Sequence, residues 1–534
     1  MKKLILITLL TISYPLFSQQ YFNTRFGFGI PSAIDQGFNV FETDDGYVIS
    51  GGTGGFNSPN YFRFGLAKFS FDGNMEIKKS WGDTNSVYIW YSVRYGSLIY
   101  RFGSYYTING RWSSILRESK LVRYDNSLDT ISTKTFKAKE YPFDTTYIIR
   151  NFIGVSNGFM VTGTRGIIYS KNKNAGTIYA GQVDDLFQPV IAKRVSQVYE
   201  LFLLQLDSLG NVLWEKNFPD SLQFGQGFSI IQTTDGGFAI GAYKWVIGSF
   251  GASVGDPVVI KTDSLGNKEW ELSLGGPYQD GTAILCQSED GNILAASRFD
   301  MDSIYYNRYE SRVQLTKIDN SGNVLWNHLY GDKAYYESVS NIRPTGNGVI
   351  ISGSHWHPAP NRMGFMLRVD SLGDSLWYRQ YAVAYGENSL NYLYDAIPTG
   401  DGGFLGAGYC LPAPPDTGNQ DAWIIKVDSM GCTSLNDCWV GQQEIKTTKN
   451  GKKLLSVYPN PASVTLTIKI DNLETGSYKI DIFNIYGSKV KEINVPRCRF
   501  ETTVNVADWK KGIYVIRVRG DNGQTSSRKI ILTW

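Results

Sequence analysis

The run Phe228–Tyr243, FSIIQTTDGGFAIGAY, followed after a variable stretch by Val258–Trp270, VVIKTDSLGNKEW, decides the fold. Each half sets two apolar or alternating runs on either side of a turn built from Asp, Gly and Asn, the pattern of a β-hairpin. Asp and Ser side chains bond backbone N–H groups inside such a turn, and the following Gly accepts a positive φ. DSLGN therefore makes a compact hairpin end.

The second half recurs as LFLLQLDSLGNVLW at Leu201–Trp214, VQLTKIDNSGNVLW at Val313–Trp326, GFMLRVDSLGDSLW at Gly364–Trp377 and DAWIIKVDSMG at Asp421–Gly431. Weaker copies begin at Gly65 and Lys120. Copies of the first half begin at Gly37, Ser92, Arg150, Gly281, Ser338 and Leu393. The turn aspartates Asp207, Asp263, Asp319, Asp370 and Asp428 are spaced by 56, 56, 51 and 58 residues, a period that signals a repeat architecture. Two hairpins per unit make a four-stranded blade, and both halves together count seven units. The expected fold is all-β, a seven-bladed β-propeller.

The last unit breaks into CTSLNDCW after Gly431 instead of completing a fourth strand. The segment QYFNTRFGFG at Gln20–Gly29 resembles WNHLYGD at Trp326 and WELSLGG at Trp270, both fourth strands. It is therefore expected to supply the missing strand and cover an otherwise exposed edge. Trp214, Trp270, Trp326 and Trp377 each stand seven residues after a turn aspartate. Identical placement on consecutive blades favours blade-to-blade packing over ligand stacking.

Composition agrees with strands and tight turns: 14% aromatic, 19% charged and 56 Gly in 534 residues. A net charge of +3 is too small to suggest nucleic acid as a partner. It is unevenly spread, since Lys446–Trp534 holds 16 Lys and Arg against 7 Asp and Glu. Met1–Ser18 opens with Lys2 and Lys3, runs apolar from Leu4 to Ile12, and ends on Pro15 and Ser18, as a cleavable signal peptide does. No other run is apolar for long enough to cross a bilayer, so no transmembrane segment is expected after cleavage. Of five cysteines, Cys432 and Cys438 are placed to close a small disulfide loop, whereas Cys286, Cys410 and Cys498 read as buried small hydrophobes.

Strand alternation puts the DGG and DSLGN turns on one face of the ring and the links between hairpins and between blades on the other. The turns are uniform and read as scaffold. The links vary widely, and variable loops on a rigid frame are where binding concentrates. Their candidate ligand-binding residues are Tyr61, Arg63, Trp112, Tyr169, Tyr179, Trp245, Tyr305, Tyr306 and Trp356, of the types that dominate contact surfaces. Packing of the same aromatics onto the ring is the plainer alternative.

Signals for chemistry are sparse. His355 and His357 would project to one side of an extended segment, but no third ligand stands nearby, so no metal is expected. Asp300 and Asp302, with Glu310, could form a carboxylate cluster, although loop acids are usually solvated. No GxSxG, P-loop or HExxH element occurs, and neither a cofactor nor catalytic residues are expected.

A different pattern begins after the polar linker 441–453. Seven short strand candidates between Leu454 and Leu532 suggest an immunoglobulin-like sandwich. YPNPA at Tyr458–Ala462, IFNIYGSKV at Ile482–Val490, WKKGIYVIRV at Trp509–Val518 and the final RKIILTW resemble the type A sorting domain of type IX secretion in Bacteroidota. Tyr458, Pro459, Asn460, Pro461, Gly487, Gly512 and Tyr514 carry that resemblance. It implies Sec export, passage through the type IX machinery to the outer-membrane surface or beyond, and cleavage of the domain within 441–453.

The expected organisation is a signal peptide over 1–18, a propeller over 19–440, a linker over 441–453 and a sorting domain over 454–534. The expected function is non-catalytic binding of an extracellular glycan, protein or matrix ligand. A secreted carbohydrate-active hydrolase or lyase is the alternative, because the fold alone does not choose between them.

Overall fold

The computed structural model describes residues 21–434 and 455–533, apart from 30–32, 56–61, 83–85, 109–113, 138–143, 169–196, 219–225, 248–252, 302–310, 332–335, 357–361, 387, 415, 417, 471–477, 485–486, 496–500 and 521–524. The expected signal peptide and linker lie outside the described residues.

The N-terminal strand β1 (Phe22–Phe26) precedes six complete hairpin pairs. Blade 1 holds β2 (Ala33–Thr43), β3 (Gly46–Gly55), β4 (Phe62–Phe69) and β5 (Met75–Trp81). Blade 2 holds β6 (Ser86–Tyr95), β7 (Leu98–Ile108), β8 (Ser114–Tyr124) and β9 (Thr130–Lys137). Blade 3 holds β10 (Asp144–Val155), β11 (Gly158–Ile168), β12 (Gln197–Asp207) and β13 (Val212–Phe218). Blade 4 holds β14 (Gln226–Gln232), β15 (Phe238–Ile247), β16 (Ser253–Thr262) and β17 (Lys268–Ser273). Blade 5 holds β18 (Ile284–Gln287), β19 (Ile293–Asp300), β20 (Ser311–Ile318) and β21 (Val324–Tyr330). Blade 6 holds β22 (Tyr336–Thr345), β23 (Gly348–Trp356), β24 (Arg362–Val369) and β25 (Ser375–Tyr381).

Among the described residues the seventh blade has three consecutive strands, β26 (Leu390–Pro398), β27 (Phe404–Leu411) and β28 (Asp421–Val427). Its fourth is β1, antiparallel to β28 from Phe22 opposite Lys426 to Phe26 opposite Ala422. Every neighbouring pair of strands within a blade is antiparallel, and blades 1 and 2 also share one parallel pairing, Phe62 with Val87. The chain is a seven-bladed β-propeller followed by a β-sandwich.

A blade is apolar on both faces, so it is stable only between two others. Among the described residues seven hydrophobic clusters fill the ring, and each joins two successive blades. The cluster between blades 7 and 1 draws Phe26 and Phe28 from the N-terminal segment against Val40, Ile49, Leu405 and Ile424. Asp35 secures that segment further by accepting the N–H of Phe28 at 3.2 Å.

Two further sets of contacts tie neighbouring blades together. On the uniform face, the indole of Trp270 donates to the carbonyl of Asn320 at 2.9 Å, and that of Trp377 to Ser429 at 3.0 Å. The turn glycine beneath must lack a side chain: Gly322 has φ +89°, and a Cβ there would stand 3.1 Å from the Trp270 ring. The second set lies on the inner strands, where a β-bulge precedes Asn39, Asn151, Ser229, Asn341 and Asp395. Asn39 accepts the Ser92 N–H at 3.3 Å, Ser229 the Leu285 N–H at 3.0 Å and Asp395 the Val40 N–H at 3.3 Å. Asn151 donates to Phe228 O at 3.1 Å and Asn341 to Asp395 at 2.8 Å. Each of these bonds crosses to the following blade.

Within blades 1, 4, 5 and 7 a strand lysine reaches the aspartate of the inner hairpin turn: Lys68–Asp45 at 2.7 Å, Lys261–Asp235 at 2.8 Å, Lys317–Asp290 at 2.6 Å and Lys426–Asp401 at 2.8 Å. Lys261 and Lys426 have fully buried side chains. Burial raises the Asp235 carboxyl, but bonds from Lys261, Thr233 and the Gly237 N–H outweigh it and hold the group at about 2.

The C-terminal sandwich packs a sheet of β29 (Leu455–Tyr458), β30 (Thr465–Ile470) and β33 (Glu501–Asn505) on one of β32 (Lys489–Val495), β31 (Tyr478–Asn484), β34 (Gly512–Gly520) and β35 (Thr525–Leu532). Leu466, Ile468, Ile480, Ile482, Ile516 and Ile530 form its core, each at 0% exposure.

Deleting residues 19–29 uncovers the outer edge of β28 and removes the burial of Phe26 and Phe28, a loss of about 3–6 kcal/mol. Calorimetry should show the whole ring melting earlier; an unchanged melting temperature would refute closure by β1.

Candidate functional site

The uniform face offers short turns whose polar groups are consumed internally. Asp207, for example, accepts the N–H groups of Leu209 and Asn211 at 2.9 and 2.7 Å. The link face differs. Trp356, at the end of β23, is 36% exposed, and the Arg362 guanidinium lies over its ring at 4.4 Å from the centroid. The same guanidinium sits 5.3 Å from the ring of Tyr392. Tyr392 stacks on Tyr409 at 4.6 Å and 11°, Tyr409 meets Tyr394 at 5.6 Å, and Tyr394 meets Phe38 at 5.4 Å. On the other side Tyr336 stands edge-on to Trp356 at 6.1 Å, with Arg298 over its ring at 4.9 Å. A continuous ladder of rings and guanidinium groups thus runs from blade 5 across blade 6 to blades 7 and 1. Flat cations between aromatic faces lock the rotamers of both, which makes the ladder rigid.

Beside it lies a buried acid cluster. Asp280, on the link from blade 4 to blade 5, accepts the Asp300 N–H at 2.7 Å and the Gly276 N–H. Asp300 ends β19 and pairs with Arg298 Nε at 2.9 Å. Asp256, near the start of β16, accepts from the Ser273 hydroxyl at 3.3 Å. Burial pushes Asp280 up to about 7 and Asp300 to about 6, the latter despite Arg298. Asp300 was expected in a solvated loop; at 8% exposure it is instead part of the wall. Asp302 and Glu310 lie outside the described residues.

On blade 6, Glu337 is fully buried and meets His355 Nδ1 at 2.7 Å, while the Tyr378 hydroxyl donates to it at 2.9 Å. His355 is thereby committed to a carboxylate, and His357 lies outside the described residues. Among the described residues no group of three His, Cys, Asp or Glu is placed to hold a metal ion.

Of the candidate contact residues, Trp356 enters the ladder, and Arg63 lies half-buried on β4 opposite Thr53. Trp245 stands on β15 opposite Gly255. Tyr61, Trp112, Tyr169, Tyr179, Tyr305 and Tyr306 lie outside the described residues. Sequence reading did not single out Tyr336, Arg362, Tyr392, Tyr394 and Tyr409, which sit inside strands or at their first residues.

In the sandwich, Asn460 binds the last strand from both sides of its amide, donating to Lys529 O at 3.0 Å and accepting the Ile531 N–H at 2.8 Å. Tyr458 is exposed beside it, and cis peptide bonds precede Pro459 and Pro461. Gly487 takes φ +77° in the turn closed by Asn484, Gly512 takes φ +143°, and Tyr514 donates to Lys510 O at 2.7 Å. Cys432 is disulfide-bonded, with its partner outside the described residues, as Cys438 is. Cys286 and Cys410 are buried free thiols. Among the described residues no helix is long and apolar enough to cross a membrane.

Residues 456–533 match a family model described as a secretion system C-terminal sorting domain. That match marks the chain as cargo of type IX secretion, exported to the cell surface or the extracellular space. No curated protein matches the chain. Similar solved structures include a protein of unknown function from Dyadobacter fermentans, at 8% identity and TM-score 0.39 over 65% of this chain and 99% of that one. The phage phi92 endosialidase matches at 9% identity and TM-score 0.40 over 96% and 87%. A PL25 ulvan lyase matches at 9% identity and TM-score 0.40 over 79% and 97%. Likenesses this distant say nothing about activity.

The raised carboxyls of Asp280 and Asp300 fix a pH dependence. Their folded values lie above the unfolded value of about 3.9, so the native state holds protons that the unfolded chain releases. This contribution is complete below about pH 4 and disappears as pH rises through about 6–7. The melting temperature should therefore fall by several degrees between pH 5 and pH 8, and Asp280→Asn should flatten that slope; an Asp280→Asn profile parallel to wild type would contradict the assignment.

Proposed function

We propose that the ring is a non-catalytic, surface-displayed or released binding module that holds an extended glycan on its link face. The observation that carries this reading is the Trp356 ladder: an exposed indole, fixed by Arg362 and Tyr336, on a rigid scaffold beside variable links. Sugar rings present one apolar face and a polar edge. Aromatic planes suit the face, and the nearby guanidinium groups suit hydroxyl and carboxylate edges.

The buried acids do not favour a hydrolase. Glycosidic acid and base groups must face the bond they cleave, whereas Asp280 is 1% exposed and spends its oxygens on backbone N–H groups. Its work is to clamp the link entering blade 5.

The experiment is a panel of surface and matrix polysaccharides tested by affinity electrophoresis with wild type and Trp356→Ala. Loss of one exposed anchor should weaken binding about tenfold or more with the melting temperature unchanged. Equal binding by Trp356→Ala, or new reducing ends released by wild type, would overturn the reading.

Export is tested separately. A chain lacking residues 454–534 should accumulate in the periplasm, and undiminished surface display of that chain would show that the sandwich is not its address.

A further inference from the structure

We propose that the sorting domain is carried docked on the ring, held by an arginine clasp on the outer turn of blade 6. The turn differs from those of blades 3 and 4 only at its last position, and blade 2, which also has an aspartate there, Asp129, covers it with Lys79 at 2.7 Å. Blades 3, 4 and 5 place Asn211, Asn267 and Asn323 there, and each amide donates to the turn aspartate four residues earlier, at 2.8, 2.8 and 2.9 Å. Blade 6 has Asp374, which cannot donate and which sets a second negative charge beside Asp370. Burial raises the Asp370 carboxyl, and the charge of Asp374 adds to the rise. A turn with this repulsion is disfavoured unless a cation covers it.

Two cations do. Arg519 Nη1 donates to Asp374 Oδ1 at 3.1 Å and Arg517 Nη2 to Oδ2 at 3.3 Å, while Arg517 Nη1 reaches Ser375 O at 2.9 Å. Both arginines stand on β34 and are held from behind by the fully buried Asp481, with Arg519 Nη2 at 2.7 Å from its carboxylate and Arg517 Nη2 at 3.8 Å. Arg517 is also stacked over Phe483 at 4.9 Å. Their positions are thus set within the sandwich before any contact with the ring. A Cβ on Gly487 would stand 3.4 Å from Leu376, so the two domains also meet apolar to backbone.

The chemistry identifies the partner of the Asp374 turn as the basic β31–β34 surface of this chain's own sandwich. Asp374 lies at the uniform-turn end of blade 6 and Trp356 at its link end, so docking leaves the ladder open. Release of the clasp is required before another protein can grip the Arg517–Arg519 surface.

Asp374→Asn in the intact chain restores the residue found in blades 3 to 5, so the turn should form as it does there. In small-angle X-ray scattering the docked-to-undocked ratio should fall about three- to tenfold, seen as a larger radius of gyration. Asp374→Lys should enlarge the change, and high salt should reproduce it in wild type because the pairs are partly exposed. Calorimetry of the ring, unchanged or slightly higher for Asp374→Asn, reports that the fold is kept. Scattering curves that superimpose for wild type and both variants would overturn the clasp, as would a wild-type curve already requiring a detached domain.

Discussion

Everything in this molecule depends on covering both faces of a four-stranded sheet. Each blade presents apolar side chains on each side, and the seven clusters that bury them belong to pairs of blades rather than to single ones. Such units are stable only in a row without ends. The ring removes the ends, and β1 joins the first strand of the chain to the last blade, so that unfolding any one blade exposes the faces of two others. The indole-to-turn contacts outside and the post-bulge side chains inside then fix the angle at which neighbours meet.

That rigidity gives the link face its character. Strand ends held in register can support side chains that bridge blades, and the ladder from Arg298 through Trp356 to Phe38 crosses three blade boundaries without a loop residue in its middle. The buried acids beside it belong to the same economy of strand ends. Asp280 and Asp35 tie links to the ring through backbone N–H groups, and burial leaves them easier to protonate than free carboxyls. The face is thus a fixed platform framed by links, and the sandwich sits at the opposite end of blade 6.

The sequence announces the ring through its turns, because an aspartate and a glycine at fixed spacing leave few backbone choices. It also announces the missing fourth strand of the last blade, since CTSLNDCW cannot continue the pattern. The sandwich has seven strands between Leu455 and Leu532 among the described residues, as its short alternating runs and Gly turns announce. The site is less readable. Trp356 stands out as an exposed aromatic in a link, but Arg362 and Tyr392 become its neighbours only when blades 6 and 7 pack. Asp300 looked solvated because the sequence does not show that Asp280, twenty residues earlier, folds back over it. The strand lysines of blades 1, 4, 5 and 7 carried a readable signal, a Lys one or two residues before the outer turn, that would have located the buried ion pairs.

Ring closure is tested most directly by native-state hydrogen exchange read strand by strand. If β1 completes the seventh blade, the amides of Phe22–Phe26 that face β28 should exchange only through the same global opening as the inner strands of all blades. Exchange of β1 at the rate of a frayed terminus, with β28 protected regardless, would contradict a ring joined through its first strand.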